Sequence, residues 1–267
     1  MPRKPRLHVP GAFYHLTLRG NHRQDIFFSP SDRDLFDQLT QEVLDRFRAR
    51  LHAFCWMTNH VHLLVQVSDV PLGQLVLRIA GQYARRIQKH LRTTGHLFEK
   101  RYHAVLVDAD EYLLELIRYI HLNPVRARMV ASPSQYRWSS HLTYLDKCER
   151  SWVTTDFALS AFHQERSAAI AAYERFVNQE IGKISSSPLL EVNSTEPRIL
   201  GNDEFAGKLL GDSWKPKSRK SLQDLIGEAC QLFGVTEADL RSSSAQATHQ
   251  IPSLGRSSGR ARAYRLN

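Results

Sequence analysis

Three observations predict an α+β fold. Phe13–Arg19, Leu51–Met57, Val61–Val67 and Arg101–Val107 are short alternating or β-rich runs of strand length. Two stretches with apolar residues at helical spacing, one after Ser31 and one after Pro71, lie between them. After about residue 150 the pattern becomes mostly helical.

The elements follow in order. Phe13–Arg19 is the first strand, and the polar Gly20-Asn21-His22-Arg23 turns the chain. Ser31 or Asp32 caps a helix that runs to about Arg48, with Leu35, Phe36, Leu39, Val43, Leu44 and Phe47 on its apolar side. Leu51–Met57 and Val61–Val67 form a hairpin around Thr58-Asn59-His60. Pro71 suits the first turn of a second helix reaching about Arg92. Its apolar stripe is Leu72, Leu75, Val76, Ile79, Tyr83 and Ile87, and its other face carries Arg78, Gln82, Arg85, Lys89 and Arg92. Arg101–Val107 is the fourth strand. Asp108 or Asp110 caps a third helix that should end near Asn123, because Pro124 disfavours helix at the residue before it. This order is a ferredoxin-like β-α-β-β-α-β unit, an antiparallel sheet with helices on one face, in which the third strand lies centrally beside the first.

Beyond residue 150, Phe157–Gly182 reads helical, Ser185–Pro188 and Asn193–Pro197 as loop or linker, and Leu222–Leu240 as helix, turn at Gly234 and second helix. Ser242–Asn267 is rich in Ser, Gly and Arg and is expected to be partly mobile. The expected regions are 1–150, 151–217 and 218–267.

The 267 residues carry a net charge of +9. Residues 1–150 hold 22 Lys and Arg against 14 Asp and Glu, whereas the remainder holds 14 against 13. The positive field therefore belongs to the first region and favours a polyanionic partner there. No apolar run approaches the roughly 18–20 residues that span a bilayer, and no apolar segment follows the basic N-terminus, so neither a membrane span nor a secretory signal is expected. Cys55, Cys148 and Cys230 are too few and too scattered for a disulfide framework or a zinc knuckle, which fits a reducing cytoplasm.

The most informative motif is His60-Val61-His62. Residues i and i+2 of a strand share a face, so both imidazoles can converge on one divalent ion. Tyr119 and Asn123 are spaced i, i+4 and share a helix face. Asn123 can add a carbonyl oxygen to the two imidazoles, a donor set that suits Mg²⁺ or Mn²⁺ and leaves positions for phosphate oxygens. Tyr119 can attack phosphorus once helped to ionise. These are the parts needed for metal-assisted attack on a phosphodiester. Singly, each has a plain structural explanation; their joint occurrence on a basic region is what points to chemistry.

Three longer stretches carry a resemblance. Phe54-Cys-Trp-Met-Thr-Asn-His-Val-His-Leu-Leu, Tyr119-Ile-His-Leu-Asn-Pro-Val-Arg and Tyr136-Arg-Trp-Ser-Ser-His, with Tyr14-His-Leu-Thr-Leu-Arg-Gly-Asn before them, resemble the single-tyrosine HUH transposases, and within them the REP-associated tyrosine transposases. The resemblance covers roughly residues 8–145. It implies a nuclease and strand transferase that cuts single-stranded DNA near hairpin-forming repeats. His60, His62 and Asn123 correspond to the metal ligands and Tyr119 to the nucleophile, leaving a 5′-phosphotyrosine and a free 3′-OH. Asn123 stands where many related insertion-sequence enzymes have glutamine. Tyr112 and Tyr83 are the competing nucleophiles, with Tyr119 favoured by its spacing to Asn123.

For DNA contacts, the family places part of its guide-sequence recognition at Arg19, His22 and Arg23. Arg78, Arg85 and Lys89 can follow a phosphate backbone, and Arg126 and Arg128 lie just past the helix bearing Tyr119. Tyr102 can stack on an unpaired base, whereas Trp56 is expected in the core. Leu222–Thr236 resembles the helix-turn-helix of bacterial replication initiators, the alternative being a small helical appendage. The expected setting is cytoplasmic and nucleoid-associated, with monomer and homodimer both open. Two other readings are a domesticated repeat-binding regulator that does not cut and an HUH replication or conjugation initiator. The intact His60, His62, Tyr119 and Asn123 argue against the first, and the Tyr-Ile-x-x-Asn-Pro-Val motif against the second.

Overall fold

The structure is a computed structural model that describes residues 6–99, 101–183 and 196–211 and a few single positions between 223 and 236. The chain forms two compact units, Met1–Pro216 and Lys217–Asn267. The first is built on a five-stranded sheet in the order β2-β3-β1-β4-β5.

The strands are β1 (Phe13–Arg19), β2 (Arg50–Trp56), β3 (His60–Gln66), β4 (His103–Val107) and β5 (Ile199–Leu200). β1 pairs antiparallel with both β3 and β4, so β3 lies centrally beside β1 as the connection order requires. Leu106 N–H and Asp108 N–H donate to the carbonyls of Arg198 and Leu200, which adds β5 in parallel at the β4 edge. Two residues returning to the sheet after a long excursion carry no periodic signal, so β5 has no counterpart in the sequence expectation.

The sheet register defines two faces. Leu18 lies opposite Val61 and Leu16 opposite Leu63, while Trp56 pairs with the same Val61. α1 (Pro30–Phe47) and α2 (Leu72–Leu91) cover this face. The Phe36 ring meets Trp56 at 4.9 Å and Tyr83 at 5.0 Å, all three fully buried. Trp56 donates its indole N–H to Asp37, and Tyr83 its hydroxyl to the Ile26 carbonyl at 2.6 Å. Trp56 is therefore the core residue it was expected to be, with its polar atom satisfied.

α1 begins two residues earlier than a Ser31 cap implies. Ser29 caps it, Pro30 takes the first helical position, and the Asp32 carboxylate accepts the N–H groups of Phe28 and Ser29 at 2.8 Å each. α3 (Ala109–Arg126) does not stop at Asn123. It runs on because the side-chain nitrogen of Asn123 donates to the carbonyls of Tyr119 at 2.8 Å and Ile120 at 3.4 Å. The second of these is the carbonyl that Pro124, lacking an N–H, leaves without its usual donor.

The helix expected over Phe157–Gly182 is broken. α4 (His141–Tyr144) and α5 (Asp156–Leu159) are single turns, and α6 (Arg166–Asn178) starts anew where the Glu165 carboxylate accepts Ser167 N–H and Ala168 N–H at 2.8 and 2.7 Å. That cap separates the apolar residues of the two pieces and overrides their shared periodicity. A buried polar chain joins α3 to α6. His121 meets Tyr173 Oη at 2.6 Å and Ser140 Oγ at 2.7 Å, and His141 meets the same hydroxyl at 2.8 Å. α7 (Asp203–Leu210) closes the described part of this unit.

In the second unit Gln223, Ile226, Gly227, Cys230 and Gln231 are helical, and Gly234 sits in a turn at φ +64°. The second helix and mobile tail expected within 218–267, and most of the linker expected around Ser185–Pro188 and Asn193–Pro197, lie outside the described residues. No described helix is long and apolar enough to cross a membrane.

Candidate active site

On the other face of the sheet, Arg19 lies opposite His60, and Thr17 lies opposite both His62 and His103. A one-residue slip would send both histidines into the α1/α2 core, so the Val61–Trp56 packing on one face fixes the imidazoles on the other. Their ring centroids are 4.9 Å apart with planes at 83°.

Each imidazole has one nitrogen engaged. His60 Nδ1 lies 2.7 Å from Asn59 Oδ1. The orientation of that amide is set by its nitrogen, which donates to the Arg23 carbonyl at 3.0 Å. Because Asn59 Oδ1 can only accept, His60 Nδ1 is the donor and the Nε2 lone pair is left for a ligand. His62 Nδ1 lies 3.0 Å from His15 Nε2 and 3.4 Å from Thr17 Oγ1.

Burial holds these rings neutral. The His60 imidazole is pushed down to about 4, by burial first and then by Arg19. His62 is held well below the usual range by burial, with His15, His60 and Arg19 acting in the same direction. His15 is pushed down to about 3 by burial and then by His103. Neutral imidazoles keep the lone pairs that metal ligation requires.

α3 places Tyr119 over this face. Its ring meets His62 edge-on at 5.8 Å and 87°, and His15 at 6.2 Å and 89°. The Arg126 guanidinium lies 4.9 Å from the Tyr119 ring centroid, two turns along the same helix. Asn123 does share the face of Tyr119, but it donates its amide hydrogens to its own helix, so Oδ1 is the atom it has left to offer. Among the described residues no group of three or more His, Cys, Asp or Glu is placed to hold a metal. The groups that could hold an ion here are the two imidazoles and the Asn123 amide oxygen, a set that would leave positions open to phosphate oxygens.

The competing tyrosines are placed differently. Tyr83, on α2, is buried against Phe36 of α1 on the opposite face. Tyr112 shares α3 with Tyr119 but its side chain is buried. Of the expected DNA contacts, Arg19, His22 and Arg23 are exposed beside His60, the last two in a tight turn at φ +52° and +61°. Arg126 and Arg128 line a cleft with Glu180 and Lys183. Arg78, Arg85 and Lys89 are exposed on α2, across the sheet from the histidines.

Two residues of the site were missed from sequence, His15 and Asn59. His15 alternates in phase with Thr17 and Arg19, and Asn59 adjoins His60, but only the β1–β3 register shows which imidazole each one meets.

Residues 8–123 match the family model of IS200-like transposases. Among solved structures, a REP-associated tyrosine transposase bound to a REP hairpin is 14% identical, with a TM-score of 0.49, over 58% of this chain and 98% of that one. A putative transposase from Deinococcus radiodurans R1 is 21% identical, with a TM-score of 0.33, over 43% of this chain and 93% of that one. No curated protein matches. Residues 8–123, the segment that holds both histidines and the tyrosine, are thus the part of this chain that is similar to the IS200-like transposases.

Proposed function

We propose that this chain is a metal-dependent endonuclease and strand transferase acting on single-stranded DNA beside hairpin repeats, with Tyr119 as nucleophile. The observation that carries the reading is the edge-on contact of Tyr119 with His62 at 5.8 Å, which joins residues 57 positions apart on one face of the sheet. The motifs around His60, Tyr119 and Tyr136 support the REP-associated branch and hence the hairpin-bearing target.

His60 and His62, through Nε2, and Asn123, through Oδ1, are the groups to hold a divalent ion. Bound there, Mg²⁺ or Mn²⁺ supplies Lewis-acid polarisation of the scissile phosphate. Tyr119 Oη attacks phosphorus, its proton passes to solvent, and the bond from phosphorus to the 3′ oxygen breaks. The 3′ oxygen leaves as a hydroxyl after taking a proton, and the 5′ end stays on the tyrosine. Attack by another 3′-OH on that phosphotyrosine joins strands and returns the phenol. Arg126, set against the Tyr119 ring, keeps a cation beside the developing phosphoryl charge. Arg19, His22 and Arg23 flank His60 and meet the strand. Such a protein works at the nucleoid, in the cytoplasm.

The test is a denaturing gel. The full chain is incubated with single-stranded hairpin oligonucleotides and Mg²⁺ or Mn²⁺, beside a Tyr119→Phe variant. A metal-dependent covalent adduct that disappears in the variant is expected. An adduct that persists in Tyr119→Phe moves the nucleophile, with Tyr112 next. Tight hairpin binding without an adduct under either metal overturns cleavage in favour of a repeat-binding regulator.

A further inference from the structure

We infer that His15 is a positioning residue of the site: its Nε2 accepts the Nδ1 proton of His62 and so fixes that imidazole with its Nε2 lone pair bare. The inference deepens the metal-dependent reading above and rests on it.

His15 is fully buried in the middle of β1. It lies opposite Leu64, one diagonal step along β3 from His62. The two rings are nearly parallel, at 5°, with their nitrogens 3.0 Å apart. The same imidazole meets Tyr119 edge-on at 6.2 Å, so one side chain touches both a ligand and the nucleophile.

Burying an imidazole in a strand costs free energy that a leucine or phenylalanine does not incur, unless its polar atoms are used. Here one of them is. The neighbouring histidine shows how. His60 donates Nδ1–H to an oxygen that can only accept, and its Nε2 is left bare. His62 repeats the pattern, with Nδ1 engaged and no hydrogen-bond partner at Nε2 among the described residues. Each imidazole that binds an ion needs a bare nitrogen, fixed by the partner of its other nitrogen, and His15 does for His62 what Asn59 does for His60.

His15 Nδ1 is buried and has no hydrogen-bond partner among the described residues. In the inferred arrangement it carries the His15 proton, and in the reverse arrangement it is a bare acceptor. It is unpaired in both, so the orphan nitrogen does not choose between them. The reverse arrangement puts a proton on His62 Nε2 and closes that atom to a cation, which is what separates the two.

The test uses the full chain at neutral pH. Long-range ¹H–¹⁵N spectra of the metal-free protein, with His62 assigned by a His62→Gln variant, read its tautomer directly. The Nδ1–H form is expected, and the Nε2–H form overturns the inference. Manganese titration by electron paramagnetic resonance then compares wild type, His15→Phe and His15→Gln. The phenylalanine keeps the ring shape and loses the acceptor; its Mn²⁺ affinity is expected to fall roughly 10–100-fold, with the tautomer of His60 unchanged. The glutamine supplies an oxygen acceptor and should recover most of the affinity, which a purely structural role for His15 does not predict. Equal Mn²⁺ affinity in wild type and His15→Phe overturns the inference. Should His15→Phe not fold, the wild-type tautomer and the His15→Gln titration decide alone. A wild type with His62 in the Nδ1–H form that takes up no Mn²⁺ removes the metal reading and leaves the role of His15 in place.

Discussion

Asn59 Oδ1 lies 2.7 Å from His60 Nδ1, and that contact decides which nitrogen His60 can offer to a ligand. The amide cannot turn over without losing its bond to the Arg23 carbonyl at 3.0 Å, so the turn that follows β1 reaches across to set the His60 ring on β3. Removing the amide in Asn59→Ala should weaken Mn²⁺ binding roughly 10–100-fold, as loss of an outer hydrogen bond to a ligating histidine commonly does. Thermal unfolding should move little, because Asn59 lies in a turn and is only partly buried. Calorimetric Mn²⁺ titration of the variant checks this; unchanged affinity would show that the His60 tautomer needs no support.

Arg126 against Tyr119 gives a second prediction. The guanidinium lies 4.9 Å from the ring centroid, and a contact of this kind at an exposed site stabilises by about 0.5–1 kcal/mol. Arg126→Gln should therefore cost little stability, yet it removes the cation set against the ring of the proposed nucleophile. The single-turnover rate of adduct formation is expected to fall at least tenfold while the melting temperature shifts by only a few degrees. Arg126→Lys keeps the charge and loses the planar fork, and should fall between the two. A variant that is slow only because it is unfolded would show in the melting curve.

The sheet and its two covering helices were legible because their signals are local. The Leu72–Ile87 stripe and the alternation of Phe13–Arg19 each lie within one element. His60, His62, Tyr119 and Asn123 were legible for the same reason, as spacings of two and four residues. His15 was not, because its meaning is a cross-strand contact over 47 residues. The continuation of α3 past Pro124 was hidden by a side chain that stands in for a missing backbone donor. The break before α6 was hidden by a glutamate acting as a cap, a role more usual for Ser, Thr, Asp or Asn.

The His121–Tyr173–His141 chain sets a pH limit on stability. Burial first, and then Lys147, pushes the His141 imidazole down to about 4, and burial with His141 holds His121 well below the usual range. Above about pH 6.5 the folded and unfolded chains both carry these imidazoles neutral, and they contribute no pH dependence. Below it the unfolded chain takes up protons that the folded chain does not, so stability falls as pH drops from about 6.5 toward 4. His141 alone accounts for a loss on the order of 3 kcal/mol across that window. Urea unfolding at pH 7 and pH 4.5 measures the total, and in His141→Gln the slope should flatten by up to about 1.4 kcal/mol per pH unit. An unchanged slope would mean that His141 is already protonated in the fold, bonded to Tyr173 as a cation.

The basic residues divide by face, and so should their effects. Arg19 lies opposite His60 in the strand register, whereas Arg78, Arg85 and Lys89 sit on α2 across the sheet. A strand that reaches Tyr119 passes Arg19 but meets the α2 residues only where it continues around the molecule. Arg19→Ala should thus lower both hairpin affinity and the rate of adduct formation. Changing Arg78, Arg85 and Lys89 together to Gln should lower affinity and flatten its salt dependence, by about 0.7 in logarithmic slope for each phosphate of the single strand that these side chains no longer neutralise. At saturating DNA this triple variant should form adduct within about twofold of the wild-type rate, because its charges do not position the scissile phosphate. Fluorescence anisotropy across a salt series, paired with single-turnover gels, separates the two terms. A triple variant with normal affinity and salt slope would make the basic face of α2 ordinary solvated surface. A triple variant slow at saturating DNA would mean instead that the strand wraps the sheet edge and is aligned from both sides.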